Sequence, residues 1–214
     1  MKKSTIIEII IIVILTIILG VLIKFTTEER NSNNQPQIFN QGMGGQGGMP
    51  GQNNNSNITY TATKEITENS TIESGDFLSE KADENAILAN GDIDVTLSNI
   101  KVNKTGDSDG GDNTSFYGMN SAILAKSGAN LNIKNIEITT NATGANGVFS
   151  YGGSATTNNS NSDGTVVNIS DSKIITTKDN SGGIMTTGGG TMNATNLDIK
   201  KEGTSNAAHR SDRG

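Results

Sequence analysis

Three aspartates on one glycine-bearing stretch form the densest group of oxygen donors in the chain: Asp107, Asp109 and Asp112, with Gly110 and Gly111 between them. Calcium takes six to eight oxygen ligands, and aspartates alternating along a loop can supply several of them. The stretch lacks the downstream bidentate glutamate and the spacing of an EF-hand loop. A Ca2+ site at Asp107, Asp109 and Asp112 therefore competes with a plain solvated acidic loop. Other chemistry is thinly provided. His209 is the one histidine, cysteine is absent, and the arginines are Arg30, Arg210 and Arg213. Without cysteine there are no disulfides and no thiolate metal sites. No paired carboxylates recur at strand positions facing a common groove, as glycoside hydrolysis requires. A net charge of −6 argues against nucleic acid, which calls for a basic stripe. The residues read as binding rather than catalytic, with no catalytic residue to name and Ca2+ as the sole cofactor candidate.

The elements that position these residues repeat. Ala86-Ile87-Leu88-Ala89 returns as Ala122-Ile123-Leu124-Ala125, Gly147-Val148-Phe149-Ser150 and Gly183-Ile184-Met185-Thr186. A second motif runs Leu97-Ser98-Asn99-Ile100, Ile133-Lys134-Asn135-Ile136, Ile169-Ser170-Asp171-Ser172 and Ala194-Thr195-Asn196-Leu197. The first motif recurs at intervals of 36, 25 and 36 residues, the second at 36, 36 and 25. These resolve into a base period of 25 and two insertions of 11, near 105–117 and near 152–164. Fixed-period self-similarity marks a stacked array, and insertions confined to loops are how such an array tolerates change. No helical apolar spacing and no leucine-rich signature is present, whereas the short alternating strands bury one face. The expected fold is all-β, a parallel β-helix solenoid of about 25 residues per turn. Ile72 lies 25 residues before Leu97, so residues from about 58 to 77 are expected to cap the first turn.

Asn99, Asn135, Asp171 and Asn196 occupy one repeat coordinate. Asn and Asp tolerate the left-handed conformation that turns a chain between strands. Stacked about 4.8 Å apart, their side chains can bond along the axis as a ladder. In the first motif, Ile87, Ile123, Val148 and Ile184 share one face. Leu88, Leu124, Phe149 and Met185 share the opposite one, and Arg210 continues that row. A row that accepts arginine is the outer one. It is either covered by the insertion carrying Phe116 and Tyr117, with Tyr151 beside it, or left open as a ligand platform.

The chain begins with a short basic tail over 1–5. An apolar run over 6–25 is long enough for a transmembrane helix, and no small-residue cleavage site follows it, so it is expected to be an uncleaved signal anchor. A Gly, Asn and Gln-rich linker over 26–57 should behave as a flexible tether, and the β-helix domain occupies 58–214. Ala208-His209-Arg210-Ser211 falls at the first-strand position of a further turn, so the repeat is expected to be incomplete at its C-terminal end.

Several runs resemble the right-handed β-helix surface proteins of Firmicutes. They are Ala82-Asp83-Glu84-Asn85-Ala86, Thr105-Gly106-Asp107 and Phe116-Tyr117-Gly118-Met119-Asn120, then Gly144-Ala145-Asn146-Gly147-Val148-Phe149, Asp179-Asn180-Ser181 and Arg210-Ser211-Asp212-Arg213-Gly214. The resemblance spans about 61–214 and departs from the family at His209, where an aliphatic residue is usual. It implies a right-handed, pectate-lyase-like fold and an adhesin-like or carbohydrate-binding role. The domain would then lie outside a single-pass bacterial plasma-membrane anchor and meet a polysaccharide or cell-envelope partner. A fragment of a Ca2+-dependent polysaccharide lyase or hydrolase, in which Ca2+ bridges substrate carboxylates to aspartates, is an alternative. A purely structural stalk is another.

Overall fold

The computed structural model describes residues 58–108, 110–153, 162–205 and 207–212. The expected anchor over 6–25 and linker over 26–57 lie outside them. Among the described residues no helix is long and apolar enough to cross a membrane. In chain order the elements are β1 (Thr61–Ile66), β2 (Ser70–Ile72), β3 (Gly75–Ser79), β4 (Glu84–Asn90), β5 (Asp94–Ser98) and β6 (Ile100–Lys104), followed by the short helix α1 (Asp112–Tyr117). Then come β7 (Ile123–Lys126), β8 (Asn130–Lys134), β9 (Glu137–Thr140), β10 (Val148–Tyr151), β11 (Val166–Thr176), β12 (Ile184–Thr187), β13 (Thr191–Lys201) and β14 (His209–Asp212).

Every strand pairing is parallel. One sheet runs β1-β4-β7-β10-β12-β14; the other runs β2-β5-β8-β11-β9-β6-β3, with β13 on β11. The second sheet folds back on itself because β11 bends: residues 166–170 pair with β8, whereas 173–176 pair with β9. Registers follow the repeat. Ile87 lies opposite Ile123, Ile123 opposite Val148, Val148 opposite Ile184 and Ile184 opposite His209, in steps of 36, 25, 36 and 25 residues. Ile72 pairs with Leu97 at 25, while β1 meets β4 at a step of 23, Thr61 to Glu84.

Alternation explains the core. Side chains of successive strand residues point to opposite faces, so Ile87, Ile123 and Val148 meet Leu97, Leu131 and Val102 in one buried cluster enclosed by both sheets. Each such side chain contributes about 1.5–3 kcal/mol by leaving water. The bends carry the predicted residues: Asn99, Asn135, Asp171 and Asn196 have φ of 52°, 53°, 51° and 51°. Asn135 Nδ2 donates to Asn99 Oδ1 at 2.6 Å, and Asn196 Nδ2 donates to Asp171 Oδ1 at 2.7 Å.

A column of exposed charges runs along the face made by β3, β6, β9 and the second halves of β11 and β13. Asp76 pairs with Lys101, Lys101 with Glu137, Glu137 with Lys173, and Lys173 with Asp198. The signs alternate at every step, and Lys101 Nζ lies 3.5 Å from Glu137 Oε2.

At the corner after β6 the fully buried Lys104 donates from Nζ to the carbonyls of Lys81 at 2.7 Å and Gly106 at 2.8 Å. Its neighbours in register are Ser79 and Thr140. Burial pushes the Lys104 ammonium down to about 8, against the raising effect of Glu84, Asp83 and Asp107.

Candidate functional site

The outer row is covered. Leu88, Leu124, Phe149 and Met185 are at most 1 % exposed and form a second apolar cluster, with Tyr60, Ala62 and Tyr151 packed against it. The first insertion supplies the cover. A Cβ on Gly118 would lie 2.7 Å from Leu124 Cδ1 and 2.8 Å from Phe149, so the chain leaving α1 rests directly on the row. The last carbonyls of a helix have no partner within it, and here distant residues provide donors. Tyr60 OH donates to Tyr117 O at 2.8 Å, Thr187 Oγ1 to Phe116 O at 2.6 Å and Asn146 Nδ2 to Thr114 O at 3.3 Å. Asn85 Nδ2 donates to Gly118 O at 3.0 Å. Arg210 pairs with Met185 and places its guanidinium 5.8 Å from the Phe116 ring centroid. Of the two readings of Leu88, Leu124, Phe149, Met185 and Arg210, an open platform is the one that fails. The apolar members are buried, with the chain leaving α1 seated on Leu124 and Phe149.

Asp107 is engaged by residues farther along the chain. Asp107 Oδ1 accepts the Thr143 N–H at 2.7 Å, and its Oδ2 lies 3.5 Å from Lys178 Nζ. That backbone donor, and then the lysine, hold its carboxyl below the usual range. Asp179 does the same with Thr204 N–H at 2.6 Å, so these aspartates tie one turn to the next. Asp112 is exposed in the first turn of α1, and Asp109 lies outside the described residues. Among the described residues no three acidic or histidine side chains are grouped to hold a metal. His209 stands on β14 opposite Ile184 and is exposed.

Two arrangements were not visible as sites in the sequence. The first lies on the outward face of β5, β8 and the first halves of β11 and β13. Here an open groove is lined by Thr96, Asn132, Lys134, Asn168, Asn193 and Thr195. Its amides are ordered from turn to turn: Asn168 Nδ2 donates to Asn132 Oδ1 at 3.0 Å, and Asn193 Nδ2 to Asn168 Oδ1 at 2.8 Å. The signal in the sequence was an asparagine three residues before three of the four bends, with Thr96 before the first, hidden by the abundance of asparagine. The second is a meeting of Tyr60, Tyr117 and Tyr151 at the rim of the cover. The Tyr117 and Tyr151 ring centroids are 5.5 Å apart and edge to face, and Lys126 Nζ lies 5.0 Å from the Tyr60 centroid. Tyr117 and Tyr151 stood near the outer row in the sequence, but nothing there linked Tyr60 or Lys126 to them.

No family model, curated protein or solved structure matches the chain.

Proposed function

We propose that the domain is a right-handed parallel β-helix solenoid acting as an adhesin-like binding protein for a polysaccharide or a cell-envelope partner. In this reading, residues 6–25 anchor it in a bacterial plasma membrane and the domain lies outside. The observation that carries the binding reading is the amide-lined groove over Asn132, Asn168 and Asn193. A carboxamide offers donors and acceptors together, which suits the hydroxyls of a sugar. The ladder bonds hold these amides in place before a ligand arrives, lowering the ordering cost of binding. Its repeat along the stack, about 4.8 Å per turn, suits a linear chain rather than a compact ligand.

A structural stalk is the second reading, favoured by the side-chain bonds that join successive turns at Asn99–Asn135 and Asp171–Asn196. Glycan-array binding, run with and without chelator, separates the possibilities. Retention of a polysaccharide that weakens in Asn168→Ala supports the groove. Loss of binding on chelation places Ca2+ in the interaction, with the Asp107 loop as its first candidate. Release of unsaturated sugars would replace the binding reading with a lyase, and a blank array would leave the stalk.

A further inference from the structure

We propose that the tyrosine cluster at the rim of the cover is a second sugar-contact site, one that stacks an uncharged pyranose. The proposal rests on the polysaccharide-binding reading but concerns a different face, outward of β7 and β10 rather than of β8 and β11. The chain contains three tyrosines and no tryptophan. All three tyrosines meet here, delivered by three separate segments: the approach to β1, the end of α1 and the end of β10. Sealing the apolar row does not itself require tyrosine at 117 or 151, where leucine or phenylalanine would bury it as well, whereas Tyr60 also donates from its OH to Tyr117 O. Tyr60, Tyr117 and Tyr151 instead each keep part of their surface in solvent. An aromatic face of this kind takes the C–H face of a sugar ring, while hydroxyls at its edge bond to water or ligand.

Polar groups continue from the rings in a connected chain. Lys126 Nζ donates to Asn90 Oδ1 at 3.1 Å and to Ser127 Oγ at 2.7 Å. Asn90 Nδ2 donates to Glu65 Oε1 at 3.2 Å, and Asp163 Oδ2 accepts the Ser127 N–H at 3.1 Å. Burial lowers the Lys126 ammonium from its ordinary range, against the raising effects of Asp163 and Glu65. The patch thus sets one cation against two carboxylates, a balance that disfavours uronates and other acidic sugars. Amide, ammonium and carboxylate in reach of an aromatic face match the hydroxyls of a neutral hexose.

Because the chain has no tryptophan, its intrinsic emission is tyrosine emission and comes from this patch alone. Full-length protein is titrated with neutral β-linked glucose and galactose oligosaccharides, and with galacturonate oligosaccharides as the anionic counterpart. The expected result is a saturable emission change with a neutral oligosaccharide and none with galacturonate. Tyr151→Ala should weaken binding about tenfold, the factor corresponding to 1.4 kcal/mol. Tyr151→Phe should retain it. Circular dichroism confirms that each variant keeps its strand content, and the Phe variant reports if the Ala variant does not. Array binding that persists with no change in tyrosine emission overturns the patch and spares the polysaccharide reading. Preference for galacturonate, or an undiminished response in folded Tyr151→Ala, also overturns it. No binding to any sugar sinks both.

Discussion

Gly106 has no room for a methyl group. A Cβ there would stand 2.1 Å from the carbonyl oxygen of Lys81, and at Gly203 the same atom would stand 2.0 Å from Lys178 O. Both glycines follow a lysine by two residues, and both lysines, Lys104 and Lys201, donate to the carbonyl of their glycine. Gly106→Ala must move backbone rather than side chain and should cost about 3 kcal/mol; a loss under about 1 kcal/mol by urea denaturation would refute the close approach. Lys104 makes a prediction about pH. Its folded-state value of about 8 lies below the 10.5 of an exposed lysine. Between those values the unfolded chain holds a proton that the folded chain has released, so stability should rise with pH from about 8. Above pH 10 the trend should reverse, because burial, with Tyr151 and Tyr117 nearby, raises Tyr60 from its ordinary 10.0 and leaves the unfolded chain the readier to ionise. Denaturation midpoints at pH 7.5 and 9.5 should differ for the wild type, and the difference should shrink for Lys104→Met, with Lys126 supplying what remains. Equal midpoints for the wild type would show that the ammonium is not desolvated.

The cover over the first sheet is the element that the sequence described least well. The strands were legible because their apolar residues recur at one spacing and every turn repeats the evidence. The insertion was legible as added length, since the flanking strands keep register across it. The six-residue helix within it was not. It has no side-chain N-cap, it is too short to show a helical period, and the donors for its last carbonyls come from Tyr60, Asn146 and Thr187. Likewise, the groove could not be read from single residues, because its amides become a surface only when turns 25 or 36 residues apart are stacked. The outer row was recognised, and the choice between cover and platform depended on this helix. Leu124→Ala should therefore behave as a core substitution and cost about 2–4 kcal/mol, whereas an open row would lose at most about 0.5 kcal/mol. Gly118→Ala should act on the cover itself: φ is +74° and the added carbon meets Leu124 and Phe149. Raised binding of a hydrophobic dye with unchanged far-UV circular dichroism is the expected outcome, and unchanged dye binding would argue against a seated cover.

Across the described domain, parallel pairing joins strands that lie one repeat apart. The charge column from Asp76 to Asp198 joins such strands along one face. Facing pairs of this kind contribute about 0.2–1 kcal/mol each. Glu137→Lys would put three lysines in succession and should lower stability by about 1 kcal/mol at low salt, with much of the loss recovered in molar salt as the charges are screened. A salt-independent loss would mean the column has no electrostatic role. The alternation also bears on how the chain finds its fold. Repeated turns with similar strands invite a chain to leave one turn out and pair the next in its place. Skipping one turn would set Lys101 beside Lys173, or Glu137 beside Asp198. The column thus works as a parity check, in which correct threading pairs opposites and every single-turn error is marked by like charges meeting.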